Sequence, residues 1–154
     1  MAPSNGLDAA RDLALRHRDD AAHQLAQARQ AWAAAQLQLD QLQGYAQETD
    51  ARWALGAGRT SAPEVMRHHY QFMQRLDHAI GLQAGAVDGQ ARSVEERARL
   101  LRDAETRLES LKQVLAQRDR QLAHQARRKE QKQVDEMAAL QYRKNMSGQL
   151  AGGV

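Results

Sequence analysis

Residues 73–122 read MQRLDHAIGLQAGAVDGQARSVEERARLLRDAETRLESLKQVLAQRDRQL. Every seventh residue of this stretch, counted from its first, is apolar. The ladder consists of Met73, Ile80, Val87, Val94, Leu101, Leu108, Leu115 and Leu122. A strict seven-residue repeat keeps one face of a helix turned toward a partner helix. The stretch is therefore predicted to be one helix of a coiled coil.

The first half of the chain carries a second ladder with the same spacing. Its members are Leu25, Trp32, Leu39, Ala46 and Trp53, with Ala28, Ala35 and Leu42 beside them. In the second half the companion positions hold Ala84, Ala91 and Ala98, followed by Ala104 and Leu111 one residue out of step. Small residues beside a seam predict that two helices approach closely. Both halves are thus predicted to pair with each other.

The segment between the ladders reads Leu55-Gly-Ala-Gly-Arg-Thr-Ser-Ala-Pro63 and predicts a turn. Gly56 and Gly58 are expected to supply turn conformations, and Ser61 to Glu64 has the form of a helix capping box. The predicted boundaries are a flexible N-terminus at 1–6, helix 1 at 7–54, a turn at 55–61, helix 2 at 62–144 and a flexible tail at 145–154. The end of helix 2 is placed by Asn145, Ser147 and Gly148.

Composition favours the same fold and limits the function. Phe occurs once, Cys is absent and the net charge is +3. Scarce aromatic and β-branched residues make strands improbable, and the lack of Cys excludes disulfides and thiolate metal sites. No apolar run approaches the roughly 20 residues that span a bilayer, so a soluble cytosolic protein is expected. The predicted fold class is all-α: a two-helix antiparallel coiled-coil hairpin with a longer C-terminal helix.

The two predicted helices differ in length. At 1.5 Å per residue they would span roughly 70 Å and 120 Å. With the turn near residue 58 or 59, Leu7 should face the region of Ser110, which leaves everything beyond about Leu111 without an internal partner. The apolar ladder nevertheless continues through Leu122, and Val134, Met137 and Leu140 resume it. Unpaired apolar stripes on a helix are typical of a docking surface.

A broad apolar flank near the turn is a second candidate surface. On a helical wheel Phe72, Leu76 and Ala79 cluster beside the ladder of helix 2. The same rotation on helix 1 isolates Gln38, Leu42 and Tyr45, and antiparallel pairing would bring the two flanks to one side of the hairpin. The alternative is that these residues form the broad core of a twisted hairpin, and the pattern alone leaves both open.

Other motifs give weaker signals. The run Arg127-Arg-Lys-Glu-Gln-Lys-Gln-Val-Asp-Glu-Met-Ala138 is either a binding motif or a solvated charged face. Gly81, Gly85 and Gly89 recur every four residues and are read as a bend or a labile turn of helix. The six His residues lack metal-ligand spacing and are expected to be exposed. No nucleophile elbow or phosphate-binding loop is present, so neither an enzyme nor a cofactor site is predicted.

Three short motifs, in this order, resemble the flagellar export protein FliJ family of the bacterial type III secretion apparatus. They are Leu42-x-x-Tyr45-x-x-Glu48, Phe72-x-x-x-Leu76-x-x-Ala79-Ile80 and Arg128-x-Glu130-Gln131-Lys132-x-x-Asp135-Glu136-x-Ala138. The similarity runs nearly end to end and includes the position of the turn. It implies a non-enzymatic, two-helix stalk similar to the rotor subunit of rotary ATPases, cytoplasmic and peripheral to the inner membrane at the flagellar base.

The resemblance also implies partners. The paired helix termini would insert into a hexameric flagellar export ATPase, a surface near the turn would contact the cytoplasmic domain of the export gate, and export chaperones would be handled by the same protein. The implied gate-binding residues are Gln38, Leu42, Tyr45, Phe72, Leu76 and Ala79. The implied ATPase-facing residues are Arg128, Glu130, Gln131, Lys132, Val134, Asp135, Glu136 and Met137. Membrane contact would occur only through partners, and the isolated chain would be a monomer.

Two alternatives come from other functional classes. A generic structural coiled coil would homodimerise through the C-terminal part of helix 2 that is expected to lack an internal partner, using Leu111, Leu115 and Leu122. A nucleic-acid binder would use Arg127, Arg128, Lys129 and Lys132. We rank nucleic acid last, because no aromatic residues for base stacking are interleaved with these cations and nearby acidic residues reduce the positive field.

Overall fold

The structure is a computed structural model that describes residues 5–56 and 62–152. It contains two α-helices, α1 (Asn5–Leu55) and α2 (Pro63–Gly152), of 51 and 90 residues. Within the described ranges no residue belongs to a strand. The all-α class and the two long helices are therefore confirmed, and the C-terminal helix is the longer of the two.

The helix ends next to the turn follow from local chemistry. Pro63 begins α2, where its fixed φ suits a helix and its missing N–H costs nothing. The N–H of Met66 then donates to the carbonyl of Ala62 at 3.2 Å. Gly56 donates to the carbonyl of Arg52 at 3.2 Å and does not adopt a positive φ. Gly56 thus extends the last helical turn instead of using glycine's special freedom, while Gly58 and Ser61 lie outside the described residues.

The outer helix ends differ from the sequence prediction. Helix α1 begins at Asn5 instead of residue 7, and α2 continues to Gly152 instead of ending at 144. Asn145, Ser147 and Gly148 were expected to stop α2. Each of them costs a helix only up to about 1 kcal/mol, and none is a proline, so the helical hydrogen-bond ladder continues through them.

The chain divides into two units, which we describe separately. The turn unit spans Leu13–Arg107, and the terminal unit combines Met1–Asp12 with Leu108–Val154. The centre of the turn unit is a cluster of Ala35, Leu39 and Val87, against which Ile80 and Ala84 pack. Alanine at these seam positions lets the two backbones approach closely, as the companion ladder predicted.

Contacts within the turn unit show that its helical segments are antiparallel. Gln83 donates to the backbone carbonyl of Ala35 at 2.9 Å, and Arg97 hydrogen-bonds to Gln24 further from the turn. As the residue number increases along α2, the residue number of its partner on α1 therefore decreases. The ladder residue Trp32 departs from the predicted seam, because 41 % of its surface is exposed. An indole is too large for a seam narrowed by alanines, so it lies at the edge.

The terminal unit pairs the start of α1 with α2 further along than expected. Leu108 and Leu115 are only 3 % and 5 % exposed, and Arg118 forms an ion pair with Asp8 at 3.9 Å. The prediction that α2 lacks a partner beyond about Leu111 is therefore wrong by roughly two turns. Asp8 lies within the predicted helix 1, so the error is in the register assumed from the position of the turn, which a seven-residue repeat does not fix. Neither α1 nor α2, within residues 5–56 and 62–152, contains an apolar stretch of the length that spans a bilayer.

Candidate protein-binding surfaces

The turn-proximal patch consists of the six residues that the resemblance assigned to gate binding: Gln38, Leu42, Tyr45, Phe72, Leu76 and Ala79. An aromatic contact joins its two halves across the helices. The rings of Tyr45 and Phe72 lie with their centroids 6.1 Å apart at an interplanar angle of 83°. This edge-to-face arrangement is a favoured geometry for aromatic pairs. It holds both rings at the surface, where Tyr45 is 52 % exposed.

A polar bridge marks the other end of the patch. The side-chain amide of Gln83 donates to the side-chain oxygen of Gln38 at 3.2 Å as well as to the Ala35 carbonyl. Gln83 therefore links the helices and fixes the position of Gln38. Next to this bridge is a shallow groove of about 320 Å³, lined by Gln38, Gln41, Leu42, Tyr45 and Gln83.

Burial separates the patch residues into two groups. Leu76 is buried, with 8 % of its surface exposed, while Leu42 and Ala79 are half-buried. Gln38, Tyr45 and Phe72 are exposed. The patch is thus a surface of aromatic and amide side chains supported by an apolar row beneath it. The sequence left two interpretations open, a docking surface and a broad core. The exposed residues fit the first, and the buried and half-buried residues fit the second.

A stacked pair next to the patch was not singled out in the sequence. The rings of Trp53 and His69 are parallel to within 5°, with centroids 4.0 Å apart. His69 is half-buried by this contact, so the expectation that the histidines are exposed is wrong at this position. The only sequence signal was a tryptophan at the last ladder position before the turn. The pair lines a groove of about 260 Å³ together with Tyr45, Thr49 and Arg52.

The second candidate surface is the C-terminal overhang, which we define as residues 119–152 of α2. Every residue in this range is exposed. It includes all eight residues assigned to the ATPase-facing end: Arg128, Glu130, Gln131, Lys132, Val134, Asp135, Glu136 and Met137. Gln131 donates to Asp135 at 3.0 Å along the same helix. The apolar side chains are uncovered, with Met137 70 % exposed.

The structure therefore brings together part of the predicted gate-binding set, whereas the predicted ATPase-facing residues are spread along one helix. In the turn-proximal patch, residues from both helices meet around Tyr45, Phe72 and Gln38. In the overhang, the residues share a helix and project from it over several turns. Among residues 5–56 and 62–152, no group of three or more His, Cys, Asp or Glu side chains is arranged to hold a metal ion.

Comparison with known proteins identifies a family. The family model described as Flagellar FliJ protein matches residues 4–147 of the chain. The match includes α1, most of α2, all three sequence motifs, the turn-proximal patch and most of the overhang. No match was found among curated proteins or among solved structures.

Proposed function

Because this chain belongs to the flagellar FliJ protein family and is thus a component of the flagellar type III export apparatus, we propose that it works there as a non-enzymatic stalk and adaptor. It acts by binding other proteins of the apparatus through two separate surfaces. The first is the C-terminal overhang and the second is the turn-proximal patch.

The observation that carries the proposal is the complete exposure of the overhang. Val134, Met137 and Leu140 all have more than half of their surface exposed. They follow the positively charged segment Arg127–Lys132 of the overhang. Docking of these apolar side chains in a partner's groove stabilises the complex, by about 25 cal/mol per Å² of apolar surface buried. The overhang is therefore the strongest docking surface of the terminal unit.

We assign the ATPase of the export apparatus as the partner of the overhang. The motif from Arg128 to Met137 presents cations, carboxylates and apolar groups along one helix. A central hole in a hexameric ring can receive such a helix and contact it from several sides. In this arrangement the chain contributes no catalytic group of its own to ATP hydrolysis.

The turn-proximal patch is assigned to the cytoplasmic domain of the export gate. Tyr45 and Phe72 provide the aromatic surface that is enriched in protein interfaces. Gln38 adds hydrogen-bonding groups at the rim. The same protein would handle export chaperones, and it would lie in the cytoplasm at the inner membrane of the flagellar base, with membrane contact only through its partners.

The first experiment tests the overhang. Steady-state ATP hydrolysis and ring assembly by the cognate export ATPase are measured with the intact chain and with a chain ending at Leu122. The truncation retains Leu115 and Arg118, so the pairing with α1 is preserved. We expect the intact chain to bind the ATPase and promote assembly or turnover, and the truncated chain to do neither. Equal effects of both chains would exclude the overhang as the docking surface.

A point variant sharpens this test without removing any helix. Replacing both Val134 and Met137 with Ser removes two exposed apolar side chains of the motif. The matched control is Leu82→Ser, which removes an exposed apolar side chain of α2 outside the overhang. We expect weaker ATPase binding for the double variant alone, because its side chains contact the ring in the proposed complex.

The second experiment tests the patch by calorimetric titration with the purified gate domain. Tyr45→Ala together with Phe72→Ala removes the exposed aromatic pair, and we expect at least tenfold weaker binding, as is common for aromatic interface residues. Tyr70→Ala is the control, because Tyr70 is exposed but lies outside the patch. Unchanged affinity of the double variant would exclude the patch assignment.

The homodimer alternative is less well supported by the observed burial. Of the three residues it would use, Leu115 is buried within the terminal unit, Leu111 is half-buried, and only Leu122 is exposed.

The nucleic-acid alternative would use cations that lie on the overhang beside Glu130, Asp135 and Glu136. Salt-sensitive binding to DNA or RNA would support it, and we expect none.

A further inference from the structure

A third groove lies in the turn unit, and none of its lining residues belongs to the turn-proximal patch. Its volume is about 650 Å³, which makes it larger than either groove on the patch side. We call it the acidic groove and define it by Asp50, Trp53, Met66, Tyr70, Met73 and Asp77. Asp50 and Trp53 come from α1 and the other four from α2, so the groove runs along the junction of the two helices.

The acidic groove includes apolar side chains that are largely uncovered. Met66 is 49 % exposed and Tyr70 is 63 % exposed. The side-chain amide of Gln74 donates to the Tyr70 hydroxyl at 3.1 Å, which restrains the position of the ring. Methionine side chains adapt to different apolar partners because they are unbranched and polarisable. Such a surface on a helix pair is typical of a docking site.

The charge of the groove has one sign. Asp50 lies on one wall and Asp77 on the other, and within the described part of the chain neither carboxylate forms an ion pair or a hydrogen bond. Among the residues that the structure describes, no Lys or Arg lines the groove, and Arg52 lines the smaller groove that includes Tyr45. Two unpaired carboxylates beside an apolar floor favour a ligand that is both apolar and cationic.

The base of the groove is well defined. The Trp53–His69 stack, with ring centroids 4.0 Å apart, lines both the acidic groove and the smaller groove with Tyr45. Apart from these two residues, the residues that line the two grooves are different. The acidic groove is therefore a surface distinct from the turn-proximal patch.

We propose that the acidic groove is a third docking surface, and that its occupant is an amphipathic helix of a partner protein that carries Leu or Met together with Lys or Arg. A helix fits because the junction of two packed helices offers a long groove into which the ridges of a third can pack. Its apolar residues cover Met66, Met73 and Tyr70, and its cations lie against Asp50 and Asp77. This goes beyond the proposed function, because neither of the other surfaces includes these residues.

The test uses Trp53 itself as the reporter. The full chain with Trp32→Phe has Trp53 as its single tryptophan, since the sequence contains two. The probe is a synthetic amphipathic peptide of about 20 residues, long enough to be helical, with Leu on one face and Lys flanking it. Two matched peptides replace every Lys with Glu or every Leu with Ser. We expect the Leu and Lys peptide alone to change the Trp53 fluorescence with saturation.

Variants of the chain then locate the binding. Asp50→Asn with Asp77→Asn should weaken binding of the Leu and Lys peptide about fivefold, as expected for two partly exposed ion pairs. Asp20→Asn with Asp88→Asn makes the same charge change at exposed positions outside the groove and should leave the affinity unchanged. Tyr70→Ser should weaken binding, whereas Tyr45→Ala should not.

Three outcomes would overturn the proposal. The first is equal binding of the Lys and Glu peptides, and the second is equal loss in both pairs of Asp variants. The third is concentration-dependent self-association that the Asp50 and Asp77 variants abolish, because a second copy would then occupy the groove. The proposed function is tested separately, since the ATPase and gate experiments use residues outside this groove.

Discussion

Leu108 and Leu82 lie on the same helix in very different environments. Leu108 is 3 % exposed on the seven-residue ladder, whereas Leu82 is 65 % exposed and off the ladder. Leu108→Ala should lower the free energy of unfolding by about 2 kcal/mol, at the low end for core leucines because a two-helix seam is partly solvated. Leu82→Ala should change it by less than about 0.5 kcal/mol.

Urea denaturation followed by circular dichroism measures both variants. A loss for Leu82→Ala as large as that for Leu108→Ala would mean that the exposed face of α2 is covered in solution. Such a result would contradict the pairing of α1 with α2 through the ladder face and would point to self-association through the exposed face of α2.

A surface ion network on α2 provides a prediction about pH. Arg99 contacts Glu96 at 2.6 Å and Asp103 at 3.1 Å. The hydrogen bond from Arg99 is the largest cause that lowers the pKa of Glu96 below its ordinary value. Because the folded pKa is depressed, the stabilising contribution is present above the ordinary pKa and is lost as the pH falls through the folded value.

NMR titration of the Glu96 side chain checks this assignment. Arg99→Gln removes the charge and the guanidinium hydrogen bond, so we expect the pKa of Glu96 to rise toward its ordinary value. Arg92→Gln is the control, since Arg92 does not cause the shift at Glu96. An unchanged pKa in Arg99→Gln would show that the network does not persist in solution.

At the scale of the element, the glycine series of α2 has open space around it. A Cβ added at Gly81, Gly85 or Gly89 would have no atom within 4 Å outside the local helix backbone and chain neighbours. None has a positive φ. These glycines therefore neither permit a close approach nor support a special backbone conformation within the described structure, and each leaves the helix less stable than alanine would.

Replacing each of these glycines with alanine should raise the free energy of unfolding by about 0.5–1 kcal/mol. The triple variant should gain roughly the sum, because exposed sites usually behave additively. Gly56→Ala is the control and should change stability less, since Gly56 follows the end of α1. Thermal unfolding followed by circular dichroism measures the gain, and a loss would indicate that the series packs against something in solution.

The length of α2 also has a consequence at this scale. Because the helix continues through Asn145 and Gly148, it places Tyr142, Met146 and Leu150 on helical positions that the sequence alone assigned mostly to a tail. These three side chains are exposed and spaced four residues apart, so they form a short apolar row. The overhang thus carries more exposed apolar surface than its sequence motif indicates.

At the scale of the whole molecule, the isolated chain is predicted to be a monomer of 17.2 kDa. Leu108 and Leu115, which would otherwise drive dimerisation, are covered within the chain. Sedimentation equilibrium over a wide range of concentration should give one mass throughout. A dimer that Leu122→Ser dissociates would instead support the structural coiled-coil alternative.

The helical content and the existence of two long helices could be predicted from sequence, because a seven-residue apolar repeat specifies which face of a helix is buried. Buried Leu25, Leu39, Val87 and Leu108 all lie on the predicted ladders. The family was also recognisable, since motifs at fixed distances from the turn do not depend on side-chain packing.

Tertiary structure decided the remainder, for a physical reason. Periodicity locates a face but not the register of two helices, and it gives no account of side-chain size at a shared seam. The pairing of Asp8 with Arg118, the exposure of Trp32 and the stack of Trp53 on His69 all depend on which residues meet across the helices. The acidic groove has the same origin, because its walls come from residues that are distant in sequence and adjacent only after the helices pair.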